Sequence, residues 1–484
     1  MTAATLPKPS PPGSPARAPV ASRGRWWVLA TMTGSLSMIM IDQTVVSVAL
    51  PSMQRDLGLS VAALHWVVNA YLLALAVLVA FGGRLADLLG PERTFRAGTA
   101  LFVITSGLCG LADGDTAIIA ARGLQGLGAE LMVPSTGALI LNAFAPGERG
   151  KAMGIYTGIS MVFLALGPLV GGLLTQGVSW RAVFFINLPI GLAIVAAAHF
   201  TLPRRPRPSV APGAIDWVGF PLLLGGLGAL VLGLMQGQEW GWGSPAVLGL
   251  LGAALVLIPA FLWWERRVAA PLVQLSLYRL RNFGGDSAIL AGVQFALVGA
   301  SVFGAVWSQQ VLGFGPIRAG VAMLPLTLPL LLVAPLAGRL FDRIGARPLL
   351  VTGSLLIAAG LAWLAWRLPL EDYSWLIPGY AVMGAGIGLT ISPATTDAIG
   401  GAAPHERSQA SGIVQTVRQV GGVIGIAALG AIVANVSSVA PGSAAEARVT
   451  AATDGVAAAY WTGAGMMALM ALVAYRFVHR PDER

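Results

Sequence analysis

The chain has one cysteine, Cys109, so it can form neither an internal disulfide nor a thiolate cluster. Its histidines, His65, His199, His405 and His479, are scattered without metal-ligand spacing, and no metal is expected. Charge is scarce. Asp, Glu, Lys and Arg make up 11% of the residues against 56% hydrophobic, whereas soluble domains carry about 25% charged residues. A soluble globular fold is therefore excluded. Lysine is nearly missing, with Lys8 and Lys151 alone, a usage that points to a GC-rich bacterial genome. The loops are short, and no segment is large enough for a soluble ATP-hydrolysing domain. No nucleophile and base, or carboxylates and histidines, gather at one interface, so neither an enzyme nor an organic cofactor is expected. No cleavable leader is expected either. Residues 1–25 are rich in Pro, Ala and Ser, carry Lys8, Arg17, Arg23 and Arg25, and read as a disordered cytoplasmic tail before a retained first span.

What fills the chain is hydrocarbon. Spans of about 20 apolar residues recur fourteen times, from roughly Trp26–Val46 to Ala457–Val478, and predict an all-α integral membrane protein. With the N-terminus inside, Arg84, Arg93, Arg96, Arg149, Lys151, Arg266, Arg267, Arg339, Arg343, Arg347 and Arg407 fall on the cytoplasmic side. The outer loops receive only Arg55, Arg181, Arg318, Arg367 and Arg448, and Arg122 and Arg418 fall inside spans. This asymmetry predicts both termini in the cytoplasm. It also accounts for the formal charge of +9 without nucleic acid, which is not an expected partner.

The sequence repeats itself. GGRLADLLGPER after the second span returns as AGRLFDRIGARP after the tenth, with Gly83, Asp87 and Gly90 matching Gly338, Asp342 and Gly345. PGERGKAMGI entering the fifth span returns as PHERSQASGI entering the thirteenth, with Glu148, Arg149 and Gly154 matching Glu406, Arg407 and Gly412. Two motifs repeated at nearly one offset predict two homologous six-helix bundles, 26–202 and 285–478. A linker, 203–284, carries two extra spans, and 479–484 forms a short cytoplasmic tail. Such halves commonly make the two sides of an alternating-access transporter.

Asp42 lies in the apolar run Trp26–Leu50, about 16 residues or roughly 24 Å up the first span. A carboxyl group there is costly and marks a functional site by default. Arg122 lies at similar depth in the fourth span, and pairing would satisfy both charges. A static bridge between two helices would do so equally well. Glu130 follows Arg122 by eight residues, close to two turns, and is expected on the same face. There it could carry a proton, attract a cationic compound or pair with Arg122.

WVVNAYLLA (66–74), RGLQGLG (122–128), GPLVGG (167–172), WRAVFFINLPIG (180–191), QQVLGF (309–314) and SGIVQTVRQVGG (411–422) occur in order along the chain. With the repeated loops they resemble the major facilitator superfamily and, within it, the fourteen-span drug:proton antiporters. The resemblance implies two six-helix bundles plus two central helices, with proton coupling at Asp42 and Arg122. It implies that the paired loops latch one transport state, through Gly83, Asp87, Gly90 and Arg93 and through Gly338, Asp342, Arg343, Gly345 and Arg347. It makes Gly167, Pro168, Gly171 and Gly172 the antiporter helix motif, in which Gly167 and Gly171 form a small-residue packing face. The chain departs from the family pattern at Glu130, at Phe163 and at Ser47.

A drug cavity should be broad, apolar and aromatic with few polar anchors. Trp66, Asn69, Tyr71, Gln125, Asn187, Phe303, Trp307, Gln309 and Gln310 are the candidates, although Trp66 and Trp307 also suit an interfacial belt. The expected protein is a monomer in the bacterial cytoplasmic membrane that exchanges protons for an amphipathic small molecule. A nutrient uniporter or symporter on the same fold is the alternative, which GPLVGG opposes.

Overall fold

The computed structural model describes residues 22–202, 216–438 and 444–479. Residues 1–21, 203–215 and 480–484, which hold most of the expected tails and the first part of the linker, lie outside the described residues. Among the described residues, fourteen helical stretches are long and apolar enough to cross a membrane. The first six are α1 (Ser22–Leu57), α2 (Val61–Leu89), α3 (Pro91–Leu111), α4 (Asp115–Ala143), α5 (Arg149–Gly177) and α6 (Asn187–Thr201). Two follow as α7 (Gly219–Trp240) and α8 (Pro245–Glu265). The remainder are α9 (Phe283–Gln310), α10 (Leu324–Ile344), α11 (Ala346–Arg367), α12 (Ile377–Gly401), α13 (Arg407–Val436) and α14 (Ala445–Phe477).

Helix ends follow local chemistry rather than hydropathy. Ser60 begins α2 by accepting the Ala63 amide at 3.1 Å, and Ser244 begins α8 by accepting that of Val247 at 3.3 Å. Gly90 and Gly345 end α2 and α10 at φ +94° and +78°, a conformation that a Cβ would strain. The matching glycines of the repeat therefore make the same turn twice. The expected first span stops too early. α1 begins at Ser22, inside the expected tail, and runs past Pro51 to Leu57, which puts Arg55 on its last turn instead of in a loop. α14 likewise starts a dozen residues ahead of the apolar run, at Ala445. In both, a polar extension continues the backbone ladder beyond the hydrocarbon-like stretch.

α1 packs on α5 and α6, while α3 and α4 pack together and α4 packs on α2. The pattern returns in α9–α14, where α9 packs on α13 and α14 and α12 packs on α10 and α11. The halves meet along α2 with α13 and α5 with α10. α7 leans on α2 and α13 beside that seam, and α8 packs outside α7. Large apolar side chains such as Leu173, Phe200, Leu255, Leu332 and Leu472 remain exposed on the outer surface, as a hydrocarbon solvent requires. The helices thus form a multi-pass membrane protein.

Candidate functional site

Asp42 is completely buried and has three side chains on its two oxygens. Arg122 Nη1 donates to Oδ2 at 2.7 Å, while Gln125 Nε2 and Asn187 Nδ2 donate to Oδ1 at 3.0 and 2.8 Å. Arg122 is itself fixed from several directions. Its Nε donates to the Val67 carbonyl at 3.1 Å, Nη1 also reaches Gln125 Oε1 at 2.7 Å, and the guanidinium lies 4.0 Å from the centroid of Tyr71. Asn187 continues to Ser106 Oγ at 3.0 Å, which donates to the Phe184 carbonyl at 2.9 Å. One carboxylate thereby ties α1, α4 and α6 together, with α2 closing the cluster through Tyr71 and Val67. Charge-assisted bonds of this kind are about twice as strong as neutral ones. In a buried interior they are what makes two charges tolerable.

Gln125, Asn187 and Tyr71 were expected in a drug cavity, and the structure gives them to this cluster instead. The other cavity candidates also have different surroundings. Trp307 is buried with its Nε1 on Thr453 Oγ1 at 3.0 Å, away from an exposed belt position. Asn69 donates to Gln236 of α7 at 3.3 Å, and Gln309 to the carbonyl of Ala305 on its own helix at 3.3 Å. Gln310 is exposed, Trp66 is half-buried, and Phe303 is half-buried against the core. The physical reason is common to most of them: a polar group in an apolar span takes the nearest polar partner. A cavity between the halves is lined by other residues, among them Met40, Gly137, Tyr156, Thr395, Gln415 and Arg418.

Of the three readings open for Glu130, pairing with Arg122 is not the one the structure shows. Eight residues turn a helix by about 800°, some 80° past two full turns, and that is enough to aim it at a different neighbour. It is buried, and Arg418 of α13, not Arg122, is the charge acting on it. Arg418 had stood out only as an arginine inside a span.

The repeated loops interlock. Asp87, near the end of α2, accepts the amides of Ser408 and Gln409 at 3.2 and 2.9 Å, capping the start of α13. Asp342, near the end of α10, accepts those of Gly150 and Lys151, both at 3.0 Å, capping the start of α5. A carboxylate at a helix N-terminus meets unpaired amides and the positive end of the helix dipole. Each copy of the first motif therefore grips the other half's copy of the second. Gly83 and Gly338 allow it: a Cβ on Gly83 would stand 2.7 Å from the Ser408 carbonyl, and one on Gly338 would overlap that of Gly150.

The cationic members behave differently. Arg343 is exposed, and Arg347 lies over Tyr475 of its own half at 4.7 Å. Arg93 is half-buried near the start of α3. Residues not anticipated strengthen the clasp. Arg407 reaches from α13 to the Leu141 carbonyl at 3.3 Å, where Arg149 also arrives at 3.1 Å. Gln409 Nε2 binds the Leu272 carbonyl in the α8–α9 loop. The matched positions of Arg149 and Arg407 in the repeat were the available signal. In the α5 motif, Gly167 and Gly171 abut Thr44 and Val45 of α1, Pro168 lies between them within the helix, and Gly172 faces no neighbour within 4 Å.

Buried charge, two repeated bundles and a crossed pair of helix caps are the features of a two-bundle transporter. The chain belongs to the Major Facilitator Superfamily, which it matches over residues 32–426. It is 38% identical over 432 residues to the tetracenomycin C resistance and export protein of Streptomyces glaucescens, covering 88% of this chain and 80% of that protein. It is 36% identical to the puromycin resistance protein pur8 of Streptomyces alboniger, covering 95% and 92%. Among solved structures, the proton:xylose symporter XylE superposes with a TM-score of 0.68 at 16% identity, covering 95% of this chain and 97% of that one. That likeness concerns the fold.

Proposed function

We propose that this protein exports amphipathic, drug-like or antibiotic compounds across a bacterial cytoplasmic membrane in exchange for protons. The similarity to named resistance and export proteins supports export. The observation that carries proton coupling is Asp42, a carboxylate held by Arg122 at 2.7 Å in a fully buried cluster. A buried carboxyl that can exchange a proton for an altered set of hydrogen bonds gives the protein two states of different charge. A gradient acts only through such a difference between states. The clasped end, rich in arginine, is the cytoplasmic one, and both termini lie there. The clasp then holds the inward path shut. The unit of transport is the monomer.

The test uses protein in liposomes loaded with a pH-sensitive dye, under an imposed proton gradient, challenged with cationic, neutral and anionic drugs. Drug-evoked proton flux is expected in the wild type and is lost in Asp42→Asn. Proton movement in the same direction as the compound would replace the exporter with a symporter. No flux with any compound would point to a uniporter.

A further inference from the structure

Glu130 is a buried carboxylate with little to hold it. It is 4% exposed, and its Oε2 is buried without a hydrogen-bond partner among the described residues. Asp42, by contrast, has three donors. Val133 and Gly137, about one and two turns along α4 from Glu130, line a cavity between the halves, and Arg418 stands in its wall on α13. Arg418 Nε is likewise buried and unpartnered among the described residues. Each charge acts on the other across the seam without a direct salt bridge.

The remaining titratable groups around Glu130 are few. From α2 comes Tyr71, beneath Arg122, and from α5 comes Tyr156, whose hydroxyl is taken by Thr136 at 2.6 Å. The Asp42–Arg122 pair is satisfied within its own cluster. Among the described residues Arg418 is the charge that acts on Glu130, and it belongs to the other half of the molecule.

Opening the clasped side must carry α13 away from α2 and α4, since these helices meet along the seam. An ionised Glu130 resists that separation, because both it and Arg418 would be left in a poorly solvated interior. A neutral Glu130 does not. Building on the reading of this protein as a proton-coupled exporter, we propose that Glu130 and Arg418 form a proton-released tie between the halves. The ionised pair favours the inward-closed state, and protonation of Glu130 lets the cytoplasmic side open. The sign suits antiport: a proton taken from outside favours the inward-open form, where it leaves and the compound binds. Reclosing then restores the charge pair.

Distances across the clasp test this. Leu89 and His405 are exposed on opposite halves at that end. Spin labels on Leu89→Cys and His405→Cys, with the buried Cys109 retained, report opening in nanodiscs by pulsed electron resonance. In the otherwise wild-type protein the long-distance population should grow as pH falls. Glu130→Gln should raise that population roughly tenfold at alkaline pH and remove its pH response. Arg418→Gln should do the same, while Arg418→Lys and the exchanged pair Glu130→Arg with Arg418→Glu should keep a pH response. An unchanged pH response in Glu130→Gln, beside intact drug-evoked proton flux in the wild type, would overturn the tie and leave the exporter standing. Absence of wild-type flux would remove both.

Discussion

Arg122 does several jobs with one guanidinium: it neutralises Asp42, orients Gln125, bonds the Val67 carbonyl and covers Tyr71. Arg122→Met leaves Asp42 as a lone buried charge. Removing one partner of such a pair costs about 3–5 kcal/mol, which should appear as a marked drop in thermal unfolding temperature in detergent. Combining Asp42→Asn with Arg122→Gln removes both charges together. Most of that stability should return while drug-evoked proton flux stays absent, separating the role in folding from the role in coupling. At this scale the sequence showed which residues were costly but not which would pair. Asp42, Arg122, Glu130 and Arg418 all stood out as charges in apolar runs. Depth could be counted along each helix, and it put Asp42 beside Arg122. Direction around the axis could not be fixed to better than a quarter turn, which is why the neighbour of Glu130 stayed open and Arg418 was not foreseen. Gln125 and Asn187 were misread because their partner sits on other helices.

The helix ends are where transport states are chosen. Asp342→Ala strips the cap from α5, a loss of about 0.5–2 kcal/mol. The closed-to-open ratio should fall roughly 2- to 30-fold, read with the same pair of labels, and Asp87→Ala should act alike on α13. Gly338→Val is harsher. Its Cβ would occupy the place of the Gly150 carbonyl, so the clasp cannot shut at any pH. The protein should remain folded yet export nothing. These positions were legible because repetition exposes them: the same Gly, Asp and Gly appear twice, and only a shared geometry needs all three. What repetition could not tell is that each copy clasps the opposite half, since a repeat reveals equivalence and not contact. Arg347 illustrates the difference, because it lies over Tyr475 of its own bundle.

Across the whole molecule, α7 and α8 are the part without an internal counterpart, and so the part least readable in advance. Their existence followed from hydropathy, but hydropathy says nothing about where a helix leans. Their connection to the clasp runs through Glu265, which accepts the amides of Leu272 and Val273 at 3.2 Å each, while Leu272 receives Gln409 of α13. Glu265→Ala should release the α8–α9 loop. The Leu272 and Val273 amides should then exchange hydrogen roughly tenfold faster by mass spectrometry, as expected for a lost bond to a charged group. Between this strap and the buried charges runs α2, and its adjacent glycines have a mechanical consequence. Gly82 lies against the backbone of Glu130, and Gly83 lies against that of Ser408 and Gln409. Side chains between helices can absorb a small displacement by changing rotamer, but backbone against backbone has no such play. A tilt of α13 therefore reaches α4 without backlash, as between gear teeth cut to mesh with no gap.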